Sequence, residues 1–152
     1  MYEAEIIQKE EIIRQCHIDI ADFYDEYTKN LGITISTAKV LGVLLKNEKC
    51  NQKDIIQQVH LPKQTVSAII KSLEKQEILI SSVDIKEDKR NKLIKFTPNG
   101  YKWATNIMNE MKKVIYNSLQ ALGDEKITTF ISILQEFRNN VQKHKNNIIK
   151  RG

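Results

Sequence analysis

Apolar residues recur at steps of three or four through the first part of the chain, from about residue 3 to residue 30. Ile6, Ile13 and Ile20 mark this repeat. Because an α-helix completes a turn in about 3.6 residues, side chains at these steps share one face. The pattern predicts one long amphipathic helix that stops near Gly32, with more apolar surface than a small domain covers by itself.

Three shorter helices are predicted next, each beginning at a residue that favours a helix start. Thr34 precedes ISTAKVLGVLLKN, and Asn51 precedes QKDIIQQV with Asp54 three residues further on. Thr and Asn side chains accept hydrogen bonds from first-turn amides, and an acid there is favoured by the helix dipole. Pro62 suits a first helical position, so the third helix is predicted over residues 62–76.

The third helix combines an apolar face with a polar and basic one. Val66, Ile70 and Leu73 recur at helical spacing, so we expect them to face the core. The remaining positions point outward or sideways and are Lys63, Gln64, Thr65, Ser67, Ala68 and Lys71. Two short helices joined by a few residues, the second beginning with small polar and basic residues, are typical of a helix-turn-helix.

Two β-like runs follow the helix pair. ILISSV (78–83) and LIKF (93–96) are rich in β-branched and apolar residues and bracket the charged segment 84–92. The order helix, helix, two-stranded hairpin predicts a wing beside the helix-turn-helix.

Long amphipathic helices are also predicted at the C-terminal end. Thr97 and Asp124 are the predicted caps, with a break at Gly123 between the two helices. A second copy of the chain can cover the apolar faces of these helices and of the first one, so we expect a two-fold homodimer. The predicted fold class is mainly α with a small β wing (α+β), a winged helix-turn-helix with long dimerisation helices. The predicted domains are an N-terminal dimerisation helix (1–32), a DNA-binding domain (33–100) and C-terminal dimerisation helices (101–152).

Composition and charge add a candidate partner. The chain has 152 residues, 41% of them hydrophobic, which is enough to form a packed core. Its 24 Lys and Arg against 19 Asp and Glu give a formal charge of +5, which permits a polyanionic partner without requiring one. No run approaches the roughly 20 apolar residues of a membrane span, and the charged N-terminus is unlike a signal peptide. We expect a cytoplasmic protein without membrane association.

The sequence resembles the MarR family of winged helix-turn-helix regulators over roughly residues 33–137. LPKQTVSAIIKSLEKQEIL is similar to the family's recognition helix, and ITISTAKVLGVLL to the helix that leads into it. The wing signature, D-x-R followed by L-T-x-x-G, is matched at Asp88, Arg90, Thr97 and Gly100. The resemblance implies a dimer that binds pseudo-palindromic promoter DNA, commonly as a repressor, and is released by a ligand, metal or oxidant. Two departures are Glu77, where the family usually has Gly, and the Ser81-Ser82 region, where it often has Arg.

The third helix is suited to the major groove of double-stranded promoter DNA. Gln64 is suited to reading adenine, Lys63 to reading guanine or contacting phosphate, and the methyl groups of Thr65 or Ala68 to touching a thymine methyl. The residues expected at phosphates are Ser67, Lys71, Gln52 and Lys53. The alternative for any one of them is an ordinary solvated polar position.

The charged hairpin is suited to the minor groove. Arg90 at its tip would be attracted by the negative potential of a narrow groove, and Asp88 is placed to hold the guanidinium by a bidentate pair. Lys86, Lys89 and Lys92 would add phosphate attraction. The alternative is a solvated turn whose charges keep the strand edge soluble. Two such units on a dimer predict half-sites about one helical turn apart.

Other chemistry is weakly indicated. Cys16 is expected to be a buried structural cysteine, with a redox switch as the alternative. Tyr24, Tyr27 and Trp103 are candidates to line a small-molecule effector pocket, although aromatics at such spacing are more often core. The three histidines are scattered, so no metal site is predicted. Without a phosphate loop or catalytic frame, we expect neither cofactor nor enzymatic activity.

A protein-interaction module that has lost DNA binding is the rival interpretation of the same fold. Such a module should carry acids or apolar groups at the DNA-facing positions. Lys63, Gln64 and Arg90 are instead compatible with DNA.

Overall fold

The computed structural model describes residues 2–47, 50–83 and 92–149. Its elements are α1 (Tyr2–Asn30), α2 (Ile35–Lys46), β1 (Cys50–Asn51), α3 (Gln52–Val59), α4 (Lys63–Lys75), β2 (Leu79–Val83), β3 (Lys92–Phe96), α5 (Pro98–Leu122) and α6 (Asp124–Ile149). The predicted fold class, mainly helical with a small β wing, is confirmed.

The chain divides into two compact units, Met1–Met111 and Lys112–Gly152. The first contains the hydrophobic core, in which Leu41 of α2, Ile55 of α3 and Leu79 of β2 are at most 1% exposed. The second contains the end of α5 and all of α6, and no side chain between residues 112 and 146 is buried. The predicted domain boundaries at 32/33 and 100/101 stay predictions.

The helix starts follow the predicted caps with two shifts. The Thr34 hydroxyl accepts a hydrogen bond from the Thr37 amide at 3.1 Å. Asn51 and Asp54 form a reciprocal capping box with hydrogen bonds of 3.0 and 3.1 Å. Pro62 is the N-cap of α4 and not its first residue, because the Pro62 carbonyl accepts the first helical hydrogen bond. Asp124 is likewise the first residue of α6 and not its cap.

The sheet has the antiparallel order β1-β3-β2. The two wing strands pair from Leu79 opposite Phe96 to Val83 opposite Lys92, as predicted. The additional strand β1 pairs Cys50 with Ile94. A strand of two residues carries no alternating pattern, which is why the sequence did not reveal it.

A close junction joins the end of α4, the start of β2 and the start of α5. The Thr97 hydroxyl accepts from the Gly100 amide at 2.9 Å and donates to the Glu77 carbonyl at 2.7 Å. The Thr97 amide donates to the Ile78 carbonyl at 3.0 Å. Glu77 has a left-handed backbone with φ of 57°, at the position where the resembled family usually has Gly. The junction fixes where the wing strands leave the recognition helix.

Both terminal helices carry exposed apolar faces. On α1, Ile6, Ile13 and Ile20 are 48–57% exposed. On α6, an apolar face is formed by the exposed side chains of Phe130, Ile131, Leu134, Phe137 and Val141, and Ile133 is exposed as well. The periodicity correctly predicted these apolar stripes, and within one chain they remain largely uncovered.

Candidate nucleic-acid interface

A cleft of about 720 Å³ lies between the start of α3, one side of α4 and the wing strands. We call it the recognition cleft. It is lined by Asn51, Gln52, Lys53, Ile56, Lys63, Ser67, Ile70, Lys71, Glu74, Ser81, Lys92 and Ile94. Six residues predicted to bind DNA are thus brought together from three separate stretches of the sequence.

Helix α4 contributes a polar stripe to the recognition cleft. Lys63, Ser67 and Lys71 follow each other at intervals of four residues, so they share one side of the helix. The opposite side is fixed in the core by Val66 and Leu73, which are at most 3% exposed. The orientation of the lysines is therefore determined by the packing of the apolar face.

The start of α3 contributes Gln52 and Lys53. The capping box of Asn51 and Asp54 holds this first turn in place, so the backbone carrying both side chains is fixed. Lys53 is exposed and Gln52 is half-buried. Both line the recognition cleft, as expected of residues that meet phosphates beside a helix N-terminus.

The electrostatics of the recognition cleft are dominated by lysine. Lys53, Lys63, Lys71 and Lys92 line it, and Glu74 is the acid among the described lining residues. The Glu74 carboxylate accepts a hydrogen bond from the Ser81 hydroxyl. The ion pairs Arg14–Glu11 and Lys29–Asp25 both lie outside the cleft. The four ammonium groups therefore give the cleft a net positive potential.

Three other predicted residues of α4 lie outside the recognition cleft. Gln64 and Ala68 are exposed and Thr65 is half-buried. Ala68 lines a second cleft of about 520 Å³, together with Thr34 and residues from the end of α1. Helix α4 thus has a cleft on each side, with Gln64 on the exposed surface between them.

Most of the predicted wing contacts fall outside the described residues. These are Lys86, Asp88, Lys89 and Arg90. Lys92 begins β3 and is exposed, and its side chain lines the recognition cleft.

Two of the candidate effector residues line different clefts among those described for residues 2–47, 50–83 and 92–149. Tyr24 lines a cleft of about 570 Å³ with Lys39 and Met108, and Trp103 lines the 520 Å³ cleft. The Tyr27 ring stacks on Phe23 at 5.6 Å. Tyr24, Tyr27 and Trp103 are all half-buried against the core, and burial raises the pKa of Tyr24. These three side chains therefore contribute to the packing of the core.

The two cysteines differ in environment. Cys16 is exposed on α1, so the prediction that it is buried is wrong. Cys50 is 1% exposed, and burial, followed by the nearby Asp54 charge, raises its pKa. A buried thiol with a raised pKa is a poor nucleophile.

The recognition cleft also contains residues that the sequence did not single out. Glu74 and Ser81 meet across α4 and β2, although they are seven residues apart. Glu74 belongs to a segment similar to the family and Ser81 to a region that departs from it, and their contact depends on β2 folding back along α4. Ile70 and Ile94 form part of the apolar lining of the recognition cleft. Nothing in the sequence distinguishes an isoleucine that lines a cleft from one that lies in the core.

Within the described ranges, no group of three or more His, Cys, Asp or Glu side chains is arranged to hold a metal ion. No described helix is both long and apolar enough to cross a bilayer.

The helix pair, the paired wing strands and the basic cleft beside α4 define a winged helix-turn-helix protein. Residues 31–90 match the family model described as the MarR family. Over these residues the chain is similar to the MarR family, and the resemblance seen in its sequence is confirmed. Transcription regulators of this family are non-enzymatic DNA-binding proteins, so the prediction that the chain is not an enzyme is confirmed too.

Relatives and solved structures agree with this assignment. The HTH-type transcriptional regulator SarZ of Staphylococcus epidermidis is 28% identical over 119 residues, which cover 78% of each chain. MepR, a transcription regulator of the Staphylococcus aureus multidrug efflux pump MepA, has a TM-score of 0.70 at 19% identity, covering 87% of this chain and 97% of MepR. NMB1585, a MarR family regulator from Neisseria meningitidis, has a TM-score of 0.69 at 21% identity, covering 92% and 97%. The two structural matches establish the fold.

Proposed function

We propose that the protein is a sequence-specific transcription regulator that binds pseudo-palindromic promoter DNA as a homodimer and acts as a repressor. The observation that carries the proposal is the recognition cleft, where lysines from α3, α4 and β3 converge beside the exposed surface of α4. Phosphate contacts position a protein on DNA, and base edges supply specificity. A positive cleft next to an exposed helix provides for both.

Within this proposal α4 enters the major groove. Gln64, on the exposed surface of the helix, reads an adenine edge, and Lys63 reads guanine or contacts phosphate. Lys53 and Lys71 contact backbone phosphates on the cleft side. A structure of a MepR variant bound to an oligodeoxyribonucleotide shares this fold at a TM-score of 0.59, which supports DNA as the partner.

The wing is proposed to reach the minor groove. Lys92 marks where β3 begins, at the end of the sheet nearest the segment 84–91. Arg90 would enter the groove with Asp88 orienting its guanidinium, while Lys86 and Lys89 attract phosphate. Asp88 therefore supports binding by ordering the cation, although its own charge opposes DNA.

Dimerisation is proposed to involve the terminal helices. Each carries a stripe of half-exposed apolar side chains, including Ile13 of α1 and Leu134 of α6. Covering such a side chain stabilises by on the order of 1 kcal/mol, and together the stripes supply a substantial drive for association. The segments 1–32 and 101–152 are the proposed dimerisation segments. A cytoplasmic location belongs to the same proposal, because the protein must reach promoter DNA.

A small aromatic acid is the proposed effector, with the Tyr24 cleft as its site. This cleft of about 570 Å³ combines Tyr24 and Met108 with Lys39, which suits an aromatic ring bearing a carboxylate. NadR, a structure with TM-score 0.65, was solved with 4-hydroxyphenylacetate. Release of bound DNA by 4-hydroxyphenylacetate, lost in Lys39→Ala, would support the site. Oxidation of Cys16 is the alternative control, and it is rejected if mild peroxide leaves DNA affinity unchanged.

The proposed function is tested by selecting bound fragments from genomic DNA and footprinting the protein on the selected DNA. We expect two protected half-sites about one helical turn apart, related by approximate two-fold symmetry. Gln64→Ala should relax base preference at one position in each half-site, by about 1–3 kcal/mol, with Lys126→Ala of α6 as a matched control. Failure to enrich any sequence would favour the interaction-module alternative.

A further inference from the structure

A second basic surface lies between the end of α2, β3 and the start of α5. It is a cleft of about 810 Å³ that we call the basic-aromatic cleft, and its described lining includes Leu45, Lys46, Lys95, Phe96, Tyr101 and Lys102. None of its described lining residues is acidic. The first turn of α5 also lacks an acid, so the positive end of that helix dipole adds to the lysines.

Aromatic and aliphatic groups give this cleft an apolar lining. Phe96 and Tyr101 pack edge to face with ring centroids 6.0 Å apart, and Tyr101 remains 53% exposed. Ile80 lies directly opposite Lys95 across the strand pair and is 51% exposed. Large exposed apolar side chains beside several lysines are a combination that marks a contact surface.

The basic-aromatic cleft adjoins the recognition cleft, because Ile94 lines both, but the lysines that line them differ. Lys92 lines the recognition cleft and Lys95 lines the basic-aromatic cleft. The two lysines are three residues apart on β3, so their side chains point to opposite faces of the strand. DNA seated along α4 would therefore leave Lys95 and Tyr101 accessible.

We propose that the basic-aromatic cleft binds an acidic peptide segment of a partner protein that carries an aromatic or aliphatic anchor residue. Carboxylates on the segment pair with Lys46, Lys95 and Lys102, and the anchor packs on Phe96 and Tyr101. Charge complementarity selects the acidic partner. The apolar lining favours a peptide over duplex DNA, because a sugar-phosphate backbone has no side chain to fill it.

The proposal is tested with the full-length protein and a fluorescein-labelled synthetic peptide of Asp and Glu residues around one central Phe. A second peptide has Ala in place of Phe, and a labelled single-stranded oligonucleotide serves as the nucleic-acid probe. The test variant is Lys95→Glu with Lys102→Glu. Its matched control is Lys112→Glu with Lys143→Glu, since both of these lysines are exposed, neither lies on the apolar stripe of α6, and the change in net charge is identical. Circular dichroism and duplex DNA binding check that each variant is folded.

We expect the test variant to bind the Phe peptide at least about tenfold more weakly than wild type, with the control variant close to wild type. The Ala peptide should bind several-fold more weakly than the Phe peptide, and Tyr101→Ala should remove that difference. Equal weakening by test and control variants would overturn the proposal, as would equal affinity for the two peptides. Tighter binding of the oligonucleotide than of the Phe peptide, abolished by Lys95→Glu with Lys102→Glu, would identify a nucleic-acid surface instead. Duplex binding is measured separately, so failure here leaves the proposed regulatory function untouched.

Discussion

Gly100 is the position where one added methyl group should do most damage. A Cβ there would lie 2.0 Å from the Ile78 carbonyl oxygen and 2.8 Å from the Ile78 Cα. Real Cβ atoms essentially never come closer than 3.0 Å to a non-bonded heavy atom, so the start of α5 and the Ile78 backbone would have to separate by about 1 Å. The clash is with backbone, which cannot rotate away as a flexible side chain can.

The cost follows from what that separation breaks. The hydrogen bonds from Thr97 to the Ile78 and Glu77 carbonyls, at 3.0 and 2.7 Å, cross the same junction. Loss of both hydrogen bonds should lower the free energy of unfolding by about 2 kcal/mol, and the remaining strain should lower it by about 1–3 kcal/mol more. Gly100→Ala should therefore lower the free energy of unfolding by about 3–5 kcal/mol. The shift would also displace the wing strands and weaken DNA binding.

Gly42→Ala is the matched control. Gly42 lies inside α2, and a Cβ there would meet only the Met108 Cε at 3.5 Å, an ordinary contact. Replacing Gly by Ala within a helix should raise the free energy of unfolding by about 0.5–1 kcal/mol. Urea unfolding followed by circular dichroism, at equal protomer concentration, measures both variants. A Gly100→Ala protein within about 0.5 kcal/mol of wild type would refute the close approach at this junction.

Three further predictions concern local features. Glu77→Gly should raise the free energy of unfolding by up to about 1 kcal/mol. Glycine adopts the left-handed backbone without strain, and this gain exceeds the cost of a more flexible unfolded chain. A lower free energy of unfolding in urea than that of wild type would contradict this prediction. Asn51→Ala should lower the free energy of unfolding by about 1 kcal/mol in the same assay, because it removes half of the capping box. An unchanged free energy of unfolding would mean that this cap does not stabilise the protein. In a Cys16→Ser protein, Cys50 should react with a thiol reagent only after the protein unfolds. Burial keeps the reagent away from Cys50 and raises the pKa of its thiol. Rapid labelling of the native protein would contradict the burial of Cys50.

Features set by neighbouring residues were predictable from the sequence. The caps at Thr34 and Asn51 depend on side chains and amides within three residues, so local composition reveals them. The recognition helix was placed within one residue at each end for the same reason, since Lys63–Lys75 falls inside the predicted range 62–76. The β-branched runs ILISSV and LIKF predicted the wing strands, and the family resemblance added the prediction of a DNA-binding surface.

Features that depend on distant contacts were not predictable. Strand β1 exists because Cys50 pairs with Ile94, more than forty residues away. Helical periodicity identified an apolar face on α1 but not what covers it, so the expected burial of Cys16 was wrong. The contact between Glu74 and Ser81 likewise depends on how β2 packs along α4.

The central claim is that lysines of the recognition cleft contact DNA phosphates. The test is fluorescence anisotropy on a selected duplex across a salt series, comparing wild type with Lys63→Ala, Lys71→Ala and the control Lys143→Ala, which lies on α6 away from its apolar stripe. Each phosphate contact contributes about 0.9 to the slope of log affinity against log salt concentration. Since a homodimer carries two copies of each lysine, each cleft variant whose lysine contacts phosphate should reduce the slope by about two, and the control should not change it. Identical slopes for all four proteins would contradict the assignment of this cleft as the DNA-binding surface.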